Sequence, residues 1–272
     1  KRNEALQYIQ TKKLDVVNNH LFTYMAANLA ITNKQIDYAK EVINNRNKST
    51  EYFQTYVWDF ELGFIKLYHL ETQEAINYFE KYIKEFKGKF YVKDVYQKIS
   101  WCYYLQGNMV AAENARADIL KKGAVSADAD KQALREAKSG KWSNTTLLKA
   151  RLLNDGGYYK EALQLLNTKS IGSFDNEEEQ LEYAYRLGRI NDDLGKNDDA
   201  ISWYNKAIAL GEKRPEYFAA RAALQTGLIY EKLGKKAEAI NYYKRCLDME
   251  EEEYKNSIDQ KAKSGIARCK GE

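Results

Sequence analysis

Proline is nearly absent from this sequence, which has a single copy, Pro215, in 272 residues. Because proline breaks the interior of a helix, so long a chain with so little of it is expected to be mostly helical. Long apolar runs are absent as well, and none approaches the roughly 18–20 residues that a membrane-spanning helix needs. The composition therefore predicts an all-α protein without a membrane span, and it leaves the cellular compartment open.

An excess of one charge sign and clustered metal-binding side chains are also lacking. The 43 basic and 39 acidic residues leave a net charge of +4, so nucleic-acid binding, which requires a concentrated basic stripe, is not expected. Cys102, Cys246 and Cys269 form neither a disulfide framework nor a zinc-binding spacing, and we interpret them as small buried side chains. His20 and His69 lack further ligands at metal-binding spacing, which favours packing or capping roles. We therefore expect no metal, no cofactor and no catalytic residues.

What the sequence does contain is a repeat. An acidic residue, an alanine and a large aliphatic residue recur in EAINYFEKYI (74–83), EALQLLNTKS (161–170), DAISWYNKAI (199–208) and EAINYYKRCL (238–247). Weaker copies place Ala5, Ala39 and Ala112 in the same role. The alanines follow one another at steps of 34 to 39 residues, apart from one step of 50 residues between Ala112 and Ala162. Repeats of about this length are typical of helical solenoids.

A second column of small residues lies twelve residues before each alanine of a full repeat. Its members are Ala27, Gly63, Ser100, Ala150, Gly188 and Gly227, and Gly265 continues the series. Two columns at constant separation predict two antiparallel helices in close contact. We expect Ala200 to pack against Gly188 at this contact.

Further glycines mark the ends of the predicted helices. The positions between the two helices of four repeats are Gly107, Gly157, Gly195 and Gly234. We expect them to adopt the left-handed conformation that ends a helix, which glycine accepts without steric cost. By the same reasoning Gly88, Gly123 and Gly211 are expected to end second helices.

These signals divide the chain, which we interpret as one solenoid over residues 1–272. Residues 1–19 are predicted to be the second helix of a truncated repeat, so the chain is expected to be the carboxy-terminal part of a longer solenoid. Three repeats follow over 20–123 and three more over 143–252. The 50-residue step indicates an inserted helix within 124–142, where SADADKQALREAK (126–138) offers a serine or aspartate N-cap. Residues 253–272 are predicted to form a polar capping helix.

The pattern resembles the tetratricopeptide repeat family. That family's small residue, inter-helix glycine, alanine, aromatic and alanine are matched by Gly188, Gly195, Ala200, Tyr204 and Ala207. The next repeat matches again, at positions 227, 234, 239 and 243. More loosely, LLKARLLNDGGYYKEAL and YKNSIDQKAKSGIARCK resemble bacterial repeat proteins of the Bacteroidota. The resemblance implies an α-solenoid, a right-handed superhelix of antiparallel helix pairs, with the first helix of each pair on the concave surface.

The positions of the first helices that are expected to face the concave surface give the candidate partner-binding residues. They are Trp101, Tyr104, Arg151, Asn154, Tyr185, Arg189 and Arg221. Arg151 and Arg189 lie one repeat apart, a spacing that suits bidentate hydrogen bonds to a carboxylate. The alternative is that these arginines form ion pairs with neighbouring acids such as Asp192.

The predicted function is that of a non-enzymatic scaffold that binds a protein or peptide on this surface. A small-ligand or carbohydrate-binding protein is the alternative, because tyrosine and tryptophan suit sugar stacking. The acidic stretch NDDLGKNDDA (191–200) is not interpreted as a calcium loop, because Ile190 and Leu194 occupy ligand positions of that loop. It is predicted to be an inter-helix turn in which Asn197 or Asp198 caps the next helix.

Overall fold

Helices account for the regular structure of the chain in the computed structural model, which describes residues 2–52, 55–250 and 254–271. No strand occurs within those residues, and the all-α solenoid class is confirmed. The chain divides into two compact units. Unit 1 comprises Lys1–Thr145 and Leu152–Tyr158, and unit 2 comprises Thr146–Arg151 and Tyr159–Glu272.

Unit 1 starts with two short helices that pack on α3, and it continues with helix pairs α3–α4, α5–α6 and α7–α8. The helix α9 packs on α7 and α8. The bounds are α1 Arg2–Gln10, α2 Lys13–Asn18, α3 His20–Thr32, α4 Ile36–Asn45, α5 Val57–Tyr68, α6 Thr72–Glu85, α7 Val92–Leu105, α8 Met109–Lys121 and α9 Asp128–Ser139. The predicted second helix of a truncated repeat, over 1–19, is occupied by both α1 and α2.

Unit 2 is built from the pairs α12–α13 and α14–α15, with α11 packed on α12 and α16 packed on both α14 and α15. The helix α10 contributes residues to both units. The bounds are α10 Thr145–Asp155, α11 Tyr159–Asn167, α12 Glu177–Asp193, α13 Asn197–Gly211, α14 Phe218–Lys232, α15 Lys236–Leu247 and α16 Lys255–Lys270. A short 3₁₀ turn spans Ile171–Ser173. The predicted boundary at residue 253 lies outside the described residues.

Three helix pairs, α5–α6, α12–α13 and α14–α15, are held together by an aromatic ring that lies on a helical glycine. A Cβ atom added to Gly63 would lie 2.5 Å from Cδ1 of Phe79, and one added to Gly227 would lie 2.5 Å from Cε1 of Tyr243. The ring of Tyr204 lies on Gly188 in the same way. The nearest atoms to Gly188 belong to Tyr204, one turn after Ala200, so the closest contact in this pair comes from the ring. The alanines are buried nearby and leave room for the ring.

The turns between paired helices share one backbone conformation. The inter-helix glycines have positive φ, with values of 78° at position 107, 86° at 157, 75° at 195 and 76° at 234, as predicted. Lys34 and Leu70 adopt the same conformation in the two amino-terminal turns, with φ of 60° and 61°. Gly123 also has positive φ, whereas Gly88 and Gly211 do not. Gly211 is the last residue of α13, so the predicted helix end is confirmed there, but the left-handed conformation predicted for Gly88 and Gly211 is wrong.

Two predicted N-caps are also wrong. Lys196 is the N-cap residue of α13, and Ala127 is that of α9, and neither makes a side-chain capping hydrogen bond. The aspartates and asparagine expected to cap these helices lie inside the first turn, where their charge or dipole still suits the helix N-terminus.

The inserted helix α9 is tied to α7 by a buried carboxylate. Asp130 is fully buried and accepts hydrogen bonds from the backbone N–H groups of Tyr91, at 2.7 Å, and Asp94, at 3.2 Å. Tyr91 is the N-cap residue of α7, with a left-handed φ of 61°, and its own side chain makes no capping hydrogen bond. Asp130 therefore caps α7 from a distant part of the sequence.

Replacing Asp130 by alanine is expected to lower the stability of unit 1 by about 2 kcal/mol, because two buried N–H groups lose their acceptor. Urea unfolding followed by tryptophan fluorescence suits the measurement, since three of the four tryptophans, Trp58, Trp101 and Trp142, lie in unit 1. The exposed neighbour Lys131, changed to alanine, serves as the control and is expected to cost no more than about 0.5 kcal/mol. Equal midpoints for the two variants would rule out the capping role.

The three cysteines and the two histidines lie at positions where they contribute to packing, hydrogen bonding or ion pairing. All three cysteines are buried and free. His20 packs beside Trp58, with ring centroids 5.5 Å apart, and its Nε2 lies 2.7 Å from the carbonyl oxygen of Asn47. His69 pairs with Glu71 at the end of α5. None of the described helices is both long and apolar enough to span a membrane.

Candidate binding face of the first helices

The two predicted site residues on α7 are engaged in packing. Trp101 is 7% exposed, and the Lys98 ammonium lies 4.0 Å from the centre of its ring. Tyr104 stacks on Trp142 with ring centroids 4.5 Å apart, and its hydroxyl donates a hydrogen bond to the carbonyl of Ser143 at 3.0 Å. Both side chains hold unit 1 together, and Tyr104 in particular holds the segment that follows α9.

The predicted residues on α12 are also engaged. Tyr185 is 5% exposed and packs on Phe218 of the next first helix, with ring centroids 5.4 Å apart. Arg189 is half-buried and pairs with Asp193 through a 3.3 Å contact between Nε and Oδ2. The ion-pair alternative for this arginine is therefore correct, although the partner is Asp193 and not Asp192.

The two predicted residues on α10 fall into different units. Asn154, in unit 1, is 4% exposed. Arg151, in unit 2, is half-buried and lies near Arg186 and Tyr217. Burial raises the pKa of Tyr217, and the positive charges of Arg186 and Arg151 oppose this rise.

Arg221 is the predicted residue that has no acidic partner among the described residues. It lies on α14 at the start of an open row, Arg221, Gln225, Leu228 and Lys232, whose spacing places them on one helix face. Leu228 is 39% exposed on this face. The neighbouring cation is Lys261 on α16, whose pKa is lowered by burial and by the positive charge of Arg221. Unit 2 thus places two cations near each other, and an exposed leucine lies on the same helix face as Arg221.

Two of the first helices, α7 and α12, have an ion pair at the positions that Arg221 and Gln225 occupy in α14. In α12, Glu182 and Arg186 lie six and two residues before the small-column Gly188, and they pair at 2.7 Å with little exposure. In α7, Asp94 and Lys98 hold the same positions before Ser100 and pair at 2.9 Å. We call these two positions the pair register.

The other helix pairs do not have this acid–base pair. In α14 the position of the acid holds Arg221 and the position of the base holds the neutral Gln225. In α5 the position of the acid holds Val57 and the position of the base holds Glu61. Glu61 is only 3% exposed, and burial raises its pKa to about 7 although an amide hydrogen bond from Asn28 opposes the rise. Sequence analysis missed Glu61, and an alignment of the positions two residues before each small residue would have found it.

Two surface grooves lie away from the predicted residues. One, of about 460 Å³, is in unit 1 and is lined by Glu80, Ile83, Lys84, Tyr96, Ile99, Tyr103, Ala111, Asn114, Ala115 and Asp118. The other, also about 460 Å³, is in unit 2 and is lined by Lys160, Leu163, Gln164, Asn167, Thr168, Leu194 and Lys196. Neither groove includes the open row of α14 or Glu61.

Helix pairs joined by glycine turns, with an aromatic ring on a small residue of the first helix, define a helical repeat protein. The family model described as tetratricopeptide repeat matches residues 179–252. This part of the chain therefore matches the tetratricopeptide repeat family, as its sequence pattern indicates. Proteins of this kind are generally non-catalytic scaffolds.

Several solved structures are similar to this chain. NprR in complex with its cognate peptide NprX is 16% identical, with a TM-score of 0.44, over 98% of this chain and 78% of that one. The TPR2AB domain of yeast Sti1 in its pHSP90 complex is 15% identical, with a TM-score of 0.35, over 90% and 95% of the two chains. The P58(IPK) TPR domain is 15% identical, with a TM-score of 0.38; the match covers 98% of this chain but only 65% of that domain. No curated protein matches this sequence significantly.

Proposed function

We propose that this protein is a non-enzymatic scaffold that binds an acidic segment of a partner protein on the first-helix face of unit 2. The observation that carries the proposal is the pair of cations Arg221 and Lys261, which are near enough to affect each other's charge and have no acidic partner among the described residues. The exposed Leu228 lies on the same face of α14 as Arg221. Two like charges held close together are stabilised when an anion binds between them. The guanidinium also offers planar donors that suit a carboxylate.

The arrangement supports a peptide ligand in particular. The row from Arg221 to Lys232 runs for three helical turns, which is long enough to contact several residues of an extended segment. An apolar side chain on Leu228 and carboxylates at Arg221 and Lys261 would together give both affinity and orientation. The structural neighbours NprR and Sti1 are recorded in complexes with NprX and pHSP90, which agrees with this class of ligand.

A random peptide library displayed on phage tests the proposal directly. Peptides recovered on the wild-type protein are expected to be rich in aspartate and glutamate, and Arg221→Glu is expected to weaken their binding by about tenfold or more. Arg245→Glu is the matched control, because Arg245 is an exposed arginine of the second helix α15 that pairs with Glu212. Recovery of no binder, or of binders that tolerate Arg221→Glu as well as Arg245→Glu, would contradict the proposal.

The alternative, a small-ligand or carbohydrate-binding protein, stays a prediction. Several aromatic side chains that would serve as a sugar platform pack on one another, including Tyr104 on Trp142 and Tyr230 on Tyr242. A thermal-shift screen with oligosaccharides and acidic peptides separates the two functions, since only a ligand of the folded state raises the melting temperature.

A further inference from the structure

The surface groove of unit 1 lies where the helix α8 has an unusually small side chain. Ala115 follows Ala112, the alanine of the repeat pattern, by three residues, and it lines this groove of about 460 Å³. The residues at the same position in the other helices that carry a repeat alanine are all large. They are Tyr8 in α1, Val42 in α4, Tyr78 in α6, Leu165 in α11, Trp203 in α13 and Tyr242 in α15.

The pair α14–α15 shows what the large side chain does at this position. The ring of Tyr242 stacks on Tyr230 of the first helix, with centroids 5.5 Å apart and an angle of 25° between the ring planes. Its hydroxyl donates a 2.8 Å hydrogen bond to Oδ1 of Asn205 on the preceding second helix, α13. The Tyr242 side chain therefore fills the space between α13, α14 and α15, and it has one aromatic and one polar partner there.

The groove of unit 1 has both partners but not the ring between them. Tyr103 occupies on α7 the position of Tyr230, three residues after the small residue of the first helix. Glu80 occupies on α6 the position of Asn205, five residues after the repeat alanine. Both side chains line the groove together with Ala115. Unit 1 thus repeats the surroundings of a tyrosine side chain that its own sequence does not supply.

Glu80 is available to accept a hydrogen bond in this groove. It is exposed, and the hydroxyl of Tyr103 reaches its Oε1 only at 3.4 Å. A normal hydrogen bond between two oxygens is shorter, at about 2.5–3.0 Å. A carboxylate can also accept several donors at once, so a second hydroxyl can bind to Glu80 without displacing that of Tyr103.

We propose that this groove binds a tyrosine side chain of a partner protein, whose ring stacks on Tyr103 beside Ala115 and whose hydroxyl donates a hydrogen bond to Glu80. The proposal rests on the proposed scaffold function insofar as the ligand is a polypeptide, but it concerns a different unit and a different kind of contact. The groove, at about 460 Å³, is larger than one ring requires, so it also has room for part of the backbone that carries the ring.

The test uses N-acetyl-tyrosinamide as the mimic of a tyrosine residue, and N-acetyl-phenylalaninamide as the same ligand without the hydroxyl. Alanine methyl groups of the full chain are labelled with ¹³C and followed by NMR, and the Ala115 signal is identified by its loss in Ala115→Ser. A ring bound beside this methyl group shifts its resonance until the groove is saturated. We expect a dissociation constant of about 5 mM for the tyrosine amide, and about fivefold weaker binding of the phenylalanine amide, which lacks one hydrogen bond.

Glu80→Ala removes the acceptor, and it is expected to abolish the preference for the tyrosine amide. Glu85→Ala is the matched control, because Glu85 is an exposed glutamate of the same helix that does not line the groove. This control variant is expected to retain the preference in full.

Two further variants move the ring itself. Ala115→Tyr places a ring in the groove from within, so the methyl group of Ala111, which also lines the groove, is expected to show no saturable shift. Tyr242→Ala opens the equivalent space in unit 2, where Tyr230 and Asn205 remain. In that variant the new alanine methyl group is expected to shift with the tyrosine amide as the Ala115 methyl group does.

The absence of a saturable shift at Ala115 would overturn the proposal, as would equal affinities for the two amides. Tighter binding of p-cresol than of the tyrosine amide would overturn the assignment to a polypeptide, because the ligand would then be a free phenol. The result is independent of the peptide-display experiment on unit 2. Loss of peptide binding in Arg221→Glu leaves the Ala115 titration unaffected, and a failed titration leaves the Arg221 result unaffected.

Discussion

Replacing Tyr243 by alanine is expected to destabilise unit 2 by about 3–5 kcal/mol, the cost of removing a large aromatic side chain from a packed core. Tyr243 is fully buried, and its ring lies on Gly227 of α14 and also on Gly265 of α16. Its hydroxyl donates a 2.5 Å hydrogen bond to Glu231. The alanine variant therefore opens a cavity bordered by three helices, which cannot all move inward to fill it.

Urea unfolding followed by far-UV circular dichroism measures this effect. Tyr242→Ala is the matched control, because Tyr242 is only half-buried and stacks on Tyr230 at a centroid separation of 5.5 Å. Its loss is expected to cost about 1 kcal/mol. Tyr243→Phe retains the ring and is expected to cost a similar amount, from the lost hydrogen bond alone. Equal destabilisation by the alanine changes at 242 and 243 would show that the glycine contacts contribute little.

Replacing Glu61 by glutamine is expected to stabilise unit 1 by about 3 kcal/mol above neutral pH. Burial raises the pKa of Glu61 from 4.5 to about 7 in the folded protein. Because the folded-state pKa is the higher one, the folded protein binds more protons than the unfolded chain between these two values, and the wild type loses stability as pH rises through that range. Glutamine has nearly the same shape and removes the charge that is costly to bury.

Urea-unfolding midpoints at a series of pH values test this prediction. The advantage of Glu61→Gln is expected to be largest above pH 7 and to shrink steadily as pH falls towards 4.5, the range set by the two pKa values. Glu85→Gln, at an exposed position near the end of α6, is the control and is expected to change stability by no more than about 0.5 kcal/mol at any pH. Parallel pH profiles for wild type and Glu61→Gln would contradict the prediction.

The repeat pattern was sufficient to predict the helix pairs and their turns. Glycine at the inter-helix position indicates a left-handed backbone conformation, so those turns were predictable. Lys34 and Leu70 adopt the same conformation against their intrinsic preference, because the helices on either side impose it, and no local signal marks them. The contact at Gly188 was predicted as close, but a column of alanines does not reveal that the aromatic residue one turn later provides the contacting atoms.

The candidate site was only partly predictable, for a reason that Tyr185 illustrates. Its position in the repeat places it on a first helix, but the burial of the side chain at that position depends on the ring of Phe218 in the next repeat. Arg221 was predicted from its position on a first helix, and in α14 that position belongs to the open row. Glu61 was missed because a single glutamate carries no information until it is compared with Lys98 and Arg186 at the same register, and until its burial is known.

The carboxylate of Asp130 has a consequence for how repeats of this chain can be rearranged. Shortening the 50-residue step to the common repeat length by deleting the inserted helix would look neutral in an alignment of repeats. It would instead remove the acceptor for the first amides of α7, a helix that lies a full repeat earlier. The third repeat and the inserted helix therefore depend on each other structurally. A consensus or shuffled repeat array built from this protein must contain both of these segments or omit both.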